Sequence, residues 1–253
     1  MMWRRSVVVL LLAGCAADDD WVVRNPGGGT GSNTPGVDSG VTVDAPPVTG
    51  DGGRELTGVI CVVTDLRRPD RCPVVDEAVG VLVRRVGDVD GALSDGDGRF
   101  ALAVPEPAVV LELARDSTTL QPSIVPVVDV GGLVHASVPT AAAWDATAAS
   151  LAVTIAPGTG AIAVYTDDAT GAPAAGVLFD LPSGALDGPF YDGSSTTAWT
   201  TAGGTGGYGA TLVVGLVPGD YQLTGNQGAR TVQLASVPVY ADAVTFVRAT
   251  LPP

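Results

Sequence analysis

Three cysteines, a single histidine and several aspartate clusters are the residues whose types could do chemistry in this chain of 253 residues. His135 sits in Leu133-Val134-His135-Ala136-Ser137-Val138, where strand alternation places it on the sheet surface, opposite the core face. A histidine without partners is not a site. Nucleophilic hydrolysis needs Ser, His and an acid brought together, and neither G-x-S-x-G nor H-E-x-x-H occurs, so no catalytic residue is assigned and no enzyme is expected. Asp88, Asp90, Asp95 and Asp97 could offer oxygens to Ca2+. The calcium-loop order fails, however, because counting back from Gly98 puts Leu93 at the first ligand position. Asp-Gly pairs of this kind are turn chemistry, as are Asp167 and Asp168, and neither a metal nor a cofactor is expected. The remaining candidate is aromatic. A Gly, Ser and Thr-rich stretch from Ser183 to Tyr208 carries Phe190, Tyr191, Trp199 and Tyr208, four of the chain's 13 aromatic residues. Such rings could stack on sugars, with Asp187 and Asp192 accepting hydroxyl hydrogen bonds. The competing expectation, and the favoured one, is that they pin the loop onto its own sheet.

The elements that must position these residues follow from composition. The chain is 46% hydrophobic and 16% charged, with 39 Val against 4 Ile, and with 34 Gly and 19 Pro interrupting the apolar runs. β-Branched runs cut by turn formers specify short strands, hence an all-β fold. The formal charge is -14 and every basic residue is Arg. A surface so acidic repels phosphates, which excludes nucleic acid as a partner.

The first residues are not fold material. Met1–Arg5 is basic, Val7–Ala13 is apolar, and Gly14 and Cys15 follow, the order of a secretory signal. The apolar run is far too short to span a bilayer as a helix. Leu12-Ala13-Gly14-Cys15 resembles the lipobox of bacterial lipoproteins. That resemblance implies a signal peptide over residues 1–14, lipid on Cys15, and attachment to a membrane of the cell envelope through the acyl chains. Ala16, in place of an acidic residue after Cys15, points to the outer membrane. The residues after Arg4-Arg5 do not fit twin-arginine export. Residues 15–55 then form a Gly, Pro and Asp-rich tether whose composition cannot bury enough apolar surface to fold, and the isolated triplet Trp21-Val22-Val23 is given no role. In an exported protein the even pair Cys61 and Cys72 is expected to form a structural disulfide.

The rest of the chain repeats itself. Gly58-x-Ile60-x-Val62-x-Thr64-Asp65 recurs as Gly160-x-Ile162-x-Val164-x-Thr166-Asp167, and Ala78-x-Gly80-Val81-Leu82 as Ala174-x-Gly176-Val177-Leu178. Val104-Pro105 answers to Val217-Pro218, Val125-Pro126-Val127 to Val237-Pro238-Val239, and Ala136-Ser137-x-Pro139 to Ala249-Thr250-x-Pro252. The expected organisation is therefore two tandem β-sandwiches, residues 56–140 and 158–253. A connector over 141–157 joins them, with helical spacing at Trp144, Ala148, Leu151 and Ala152. In the first copy, strands are expected near 56–64, 79–86, 99–104, 108–115, 123–130 and 133–139, and Gly131-Gly132 reads as a hairpin turn.

The G-x-[IV]-x-V opening, the Gly-Val strand and the Ser94-Asp95-x-Asp97-Gly98-x-Phe100 turn resemble the carboxypeptidase regulatory-like domains, which are transthyretin-like, Ig-like sandwiches. Each copy matches in part: the first lacks Pro-Gly-x-Tyr, and the second lacks the Asp-Gly-x-Phe turn. The resemblance implies an accessory module. The expected function is a non-catalytic, lipid-anchored structural or interaction protein of the envelope, with an envelope protein or polysaccharide as partner. The alternative is a carbohydrate-binding module using residues 183–208.

Overall fold

The computed structural model describes residues 54–68, 76–105, 107–114, 118–128, 132–180, 187–193 and 198–253. The signal, Cys15, the tether up to residue 53 and Cys72 lie outside the described residues, as does Gly131 of the expected hairpin turn. The chain is mostly strand. The first stretch holds β1 (Arg54–Val63), β2 (Leu82–Arg85), β3 (Ala92–Leu93), β4 (Arg99–Val104), β5 (Val109–Ala114), β6 (Ser123–Val127) and β7 (Val134–Pro139). The helix α1 (Ala141–Leu151) follows, and then β8 (Gly160–Asp167), β9 (Leu178–Phe179), β10 (Asp187–Tyr191), β11 (Ala210–Leu216), β12 (Gly219–Gln227), β13 (Arg230–Val239) and β14 (Val244–Thr250). The six strands expected in the first stretch fall on β1, β2 and β4 to β7; the two-residue β3 was not expected.

The pairing of the first stretch recurs in the second. β1 lies between an antiparallel β4 and a parallel β7, and β8 lies between an antiparallel β11 and a parallel β14. A second set, β2-β5-β6, is matched by β9-β12-β13. The halves nevertheless do not stand apart as the tandem reading expected. β14 pairs in parallel with β6 through Val244 and Thr245 opposite Ser123 and Ile124. That seam makes a continuous eight-stranded sheet, ordered β10-β11-β8-β14-β6-β5-β2-β3, flanked by the three-stranded sheets β4-β1-β7 and β13-β12-β9.

Strand alternation explains why this works. All eight residues of β8 are buried, so both faces of the strand are covered. Ala161, Ala163 and Tyr165 face the larger core, with Ile60, Leu111 and Leu113 of the first half, whereas Ile162 and Val164 face a second core with Leu223, Leu234 and Val237. The helix closes the larger core. Thr140 caps it, its Oγ1 accepting from the Ala143 N–H at 3.0 Å, and Ala152 ends it in the left-handed region at φ 55°. Its buried stripe is Ala143, Thr147 and Leu151, and of the expected positions only Leu151 is fully buried. Trp144 and Ala148 flank the stripe half-buried, and Ala152 is exposed.

Candidate functional site

Two buried hydroxyls, one in each half, are committed to backbone, and to equivalent backbone positions. Ser94 is buried between β3 and β4. Its Oγ accepts from the Val81 N–H at 2.8 Å and donates to the Ala78 carbonyl at 2.6 Å. Its own N–H donates to the Val81 carbonyl at 3.0 Å, and its carbonyl accepts from Gly80 at 3.0 Å. Thr205 does the same in the other half. Its Oγ1 accepts from Val177 at 2.9 Å and donates to Ala174 at 2.6 Å, its N–H meets the Val177 carbonyl at 2.9 Å, and its carbonyl meets the Gly176 N–H at 2.6 Å. The repeated Ala-x-Gly-Val motif is thus one face of a clasp whose other face is a lone hydroxyl. Sequence reading quotes Ser94 only as the opening of the Ser94–Phe100 turn and does not single out Thr205, because a lone hydroxyl residue among many gives no pattern.

The carboxylates continue the correspondence. Asp95 Oδ1 accepts from the Asp97 N–H at 2.9 Å and the Arg99 N–H at 2.8 Å, while its own N–H donates to the Arg99 carbonyl at 2.8 Å. The second half keeps this turn although it lacks the Asp-Gly-x-Phe motif, as read from the sequence. Gly206 fills the Asp95 position, and Asp192, arriving from the end of β10, supplies the carboxylate. Asp192 accepts from Tyr208 at 2.7 Å, Ala210 at 3.2 Å and Gly206 at 2.5 Å, and its N–H donates to the Ala210 carbonyl at 3.1 Å. A Cβ at Gly206 would collide with the Gly193 carbonyl, so only glycine fits beside the imported carboxylate. With its oxygens committed in this way and the residue fully buried, Asp192 is not positioned to receive a sugar hydroxyl.

The same equivalence places the histidine. Cys61 Sγ lies 3.6 Å from His135 Nδ1, and the corresponding positions of the second half hold Asp167 and Arg248, an ion pair at 2.9 Å. His135 is exposed on the sheet surface, as expected. Cys61 is buried, and its expected partner Cys72 lies outside the described residues. Asp65 follows the end of β1. Burial raises its carboxyl, but hydrogen bonds from the Arg67 side chain and backbone, with the charges of Arg67 and Arg68, outweigh that and hold it below the usual carboxylate range. Asp168 is also lowered, chiefly by the Thr170 hydroxyl and N–H.

The four aromatic candidates do not form a platform. Phe190 and Tyr191 are neighbours on β10, so alternation sends them to opposite faces: Phe190 into the larger core at 6% exposure, Tyr191 into the smaller one at 3%. Neither can stack on a sugar from solution. The Tyr191 hydroxyl contacts the Phe179 N–H at 3.0 Å and carbonyl at 3.3 Å, and burial raises its pKa. Trp199 is half-buried against the larger core. Tyr208 is half-buried, and the Arg68 guanidinium carbon stands 4.5 Å over its ring. Asp187 begins β10 opposite Val214. The rings pin the insertion onto the fold.

A surface groove of about 490 Å3 lies on the first half, lined by Val104, Pro105, Val110, Pro126 and Val128 among others, with Tyr240 of the second half at one side. The Arg85–Asp88 ion pair, at 2.6 Å, stands at its rim. Its chemistry is apolar contact. Among the described residues, no group of three His, Cys, Asp or Glu is placed to hold a metal ion, and no helix is long and apolar enough to cross a membrane.

No family model and no curated protein matches the chain. Among solved structures it is similar to a streptococcal ancillary pilin, with 17% identity over 81% of this chain and a TM-score of 0.23. The match spans 64% of the pilin's length. It is also similar to the shaft pilin SpaA of Lactobacillus rhamnosus GG, with 9% identity over 79% of this chain and 98% of that one, at a TM-score of 0.21. A third is the family CBM26 module of Eubacterium rectale Amy13K in complex with maltoheptaose, with 11% identity over 79% and 96% of the two chains, at a TM-score of 0.21. Likenesses at these scores carry no argument about function, and the all-β character rests on the strands described above.

Proposed function

We propose that this chain is a lipid-anchored protein of the cell envelope whose folded part, residues 54–253, is a duplicated, non-catalytic structural or interaction module. The carrying observation is where the buried polar groups go. Ser94 and Thr205 form the same clasp, and Asp95 and Asp192 cap the same turn, so these four polar side chains are spent on holding loops. The fold resembles the carboxypeptidase regulatory-like sandwiches in its opening strand and Ser94–Phe100 turn, and α1 serves as the connector between copies. The anchor is Cys15 in Leu12-Ala13-Gly14-Cys15, with the tether holding the module off the lipid surface. Of the two membranes this signal could serve, Ala16 favours the outer one. Cys61 and Cys72 form a bridge that fastens the β1–β2 connection, which non-reducing mass spectrometry reads as one disulfide-linked peptide pair.

Fractionation tests the anchor. Wild-type protein is expected in the membrane pellet and Cys15→Ala in the soluble fraction; Cys15→Ala remaining in the pellet contradicts the anchor. Turnover of peptide, ester or glycoside substrates by the full chain, lost on removing one side chain, would contradict the non-catalytic reading.

A further inference from the structure

The chain enters its fold beside the apolar groove. Arg54, the first residue of β1, lies opposite Val104, the last of β4, and Val104 and Pro105 both line the groove. Val110, Pro126, Val128 and Tyr240 line it too, with Val128 at 38% exposure and Tyr240 at 37%. Its volume of about 490 Å3 is that of a ligand cleft, a class that runs from about 300 to 1,000 Å3. Two of these lining residues are prolines, which bring no N–H, so the surface offers little to a strand that needs ladder partners. It suits a segment that makes apolar contact and needs no backbone pairing, as polyproline II does.

The sequence just upstream of β1 has that chemistry. Ala45-Pro46-Pro47-Val48 holds the one adjacent proline pair between Cys15 and Arg54, and Thr49-Gly50-Asp51-Gly52-Gly53 joins it to β1. Ala45 and Pro46 each precede a proline, which biases both towards the extended region, so little conformational freedom is lost on binding. Val48 stands six positions before Arg54, a reach of roughly 20 Å at most, at about 3.3–3.6 Å per residue. Gly50, Gly52 and Gly53 allow the chain to turn back on itself. We propose that Ala45-Pro46-Pro47-Val48 docks in this groove in cis, the prolines against the Tyr240 ring and Val48 against the valines. Proline-rich segments dock on aromatic-lined grooves in this manner. The module then leaves its tether in a fixed direction, and residues 16–44 are what is left to span to the lipid. Trp21-Val22-Val23 is the rival segment within the chain. Thirty residues, 24–53, separate it from Arg54, against five, 49–53, for Val48, which lowers its effective concentration roughly 15-fold by the three-halves power of linker length.

Limited proteolysis of the full chain reads the docking. Protection is the cleavage rate at the Val48–Thr49 bond of a free peptide copied from residues 41–53, divided by the rate at the same bond in the chain. The expected protection is about fivefold or more, from a millimolar effective concentration acting on a contact several times tighter than that. Pro46→Gly with Pro47→Gly leaves the folded residues untouched and should abolish protection measured against a peptide of the same altered sequence. Tyr240→Ala, at an exposed position, should abolish it as well while melting like the wild type. Wild-type protection below about twofold overturns the proposal. So does protection that survives in both variants, which would place the segment elsewhere on the fold. Protection that fades on dilution would assign the groove to a second copy and overturns it too. None of these outcomes bears on fractionation of Cys15→Ala, so the docking and the anchor fail separately.

Discussion

At residue scale the two clasps are held by buried hydroxyls, Ser94 and Thr205, each bonded to an N–H and a carbonyl. Thr205→Val leaves the Val177 N–H and Ala174 carbonyl buried without their partner, and is expected to cost about 1–3 kcal/mol. In a protein of this size that lowers Tm by roughly 2–4 °C per kcal/mol. Thr205→Ser should stay close to wild type, because Ser94 makes the same two bonds in the other half; thermal melts of the two variants decide it. Asp65 sets a pH dependence. Its folded carboxyl lies below its ordinary value of 3.8, so its contribution is fully present above that value and is lost as pH falls through the lower folded one. Asp65→Asn is expected to flatten that acid limb of the stability curve while leaving its neutral part parallel to wild type.

At element scale the repeated strands share a pairing but not the register that matching letters suggest. Aligning Gly58 with Gly160 pairs the two G-x-I-x-V runs, yet the ladders place Gly58 opposite Phe100 where the second half has Val164 opposite Thr211, four residues along from Gly160. The glycines are conserved between halves in letter and unrelated in cause. A Cβ at Gly58 would enter the Phe100 ring, whereas one at Gly160 would meet the Tyr240 carbonyl and Val239. A period-two strand tolerates an even shift because the same face stays buried, which is why composition and alternation reveal the strands without revealing their register. By contrast, Ala136 and Ala249 occupy true counterpart positions, opposite Ile60 and Thr166. The candidate site was legible in kind and not in detail. The Gly, Ser and Thr-rich stretch announced an insertion, but only pairing shows that its first part is a strand, that this strand splits its aromatics between two cores, and that its Asp192 replaces Asp95. The large-small exchange is testable. Thr211→Phe alone should crowd Val164 and cost about 1–3 kcal/mol. Adding Val164→Gly rebuilds the Gly58–Phe100 pair and should recover part of that loss, giving a favourable coupling energy in a double-mutant cycle read by denaturant unfolding.

Over the whole molecule, duplication has been turned into continuity. The larger core takes Ile60, Leu111 and Leu113 from the first half and Tyr165, Leu212 and Phe246 from the second, and the Tyr165 hydroxyl reaches the Leu66 carbonyl at 2.7 Å. Gln121 crosses the seam to the Asp242 carbonyl at 2.6 Å, and the Val244 N–H donates to the Pro122 carbonyl at 3.0 Å. Neither half buries its apolar faces without the other, so a fragment ending after α1 should expose apolar surface and bind a hydrophobic dye. Differential scanning calorimetry of the full chain is the most direct measurement. The account predicts one transition whose calorimetric and van't Hoff enthalpies agree, the signature of a single cooperative body. Two separable transitions, each matched by an isolated half, would contradict it.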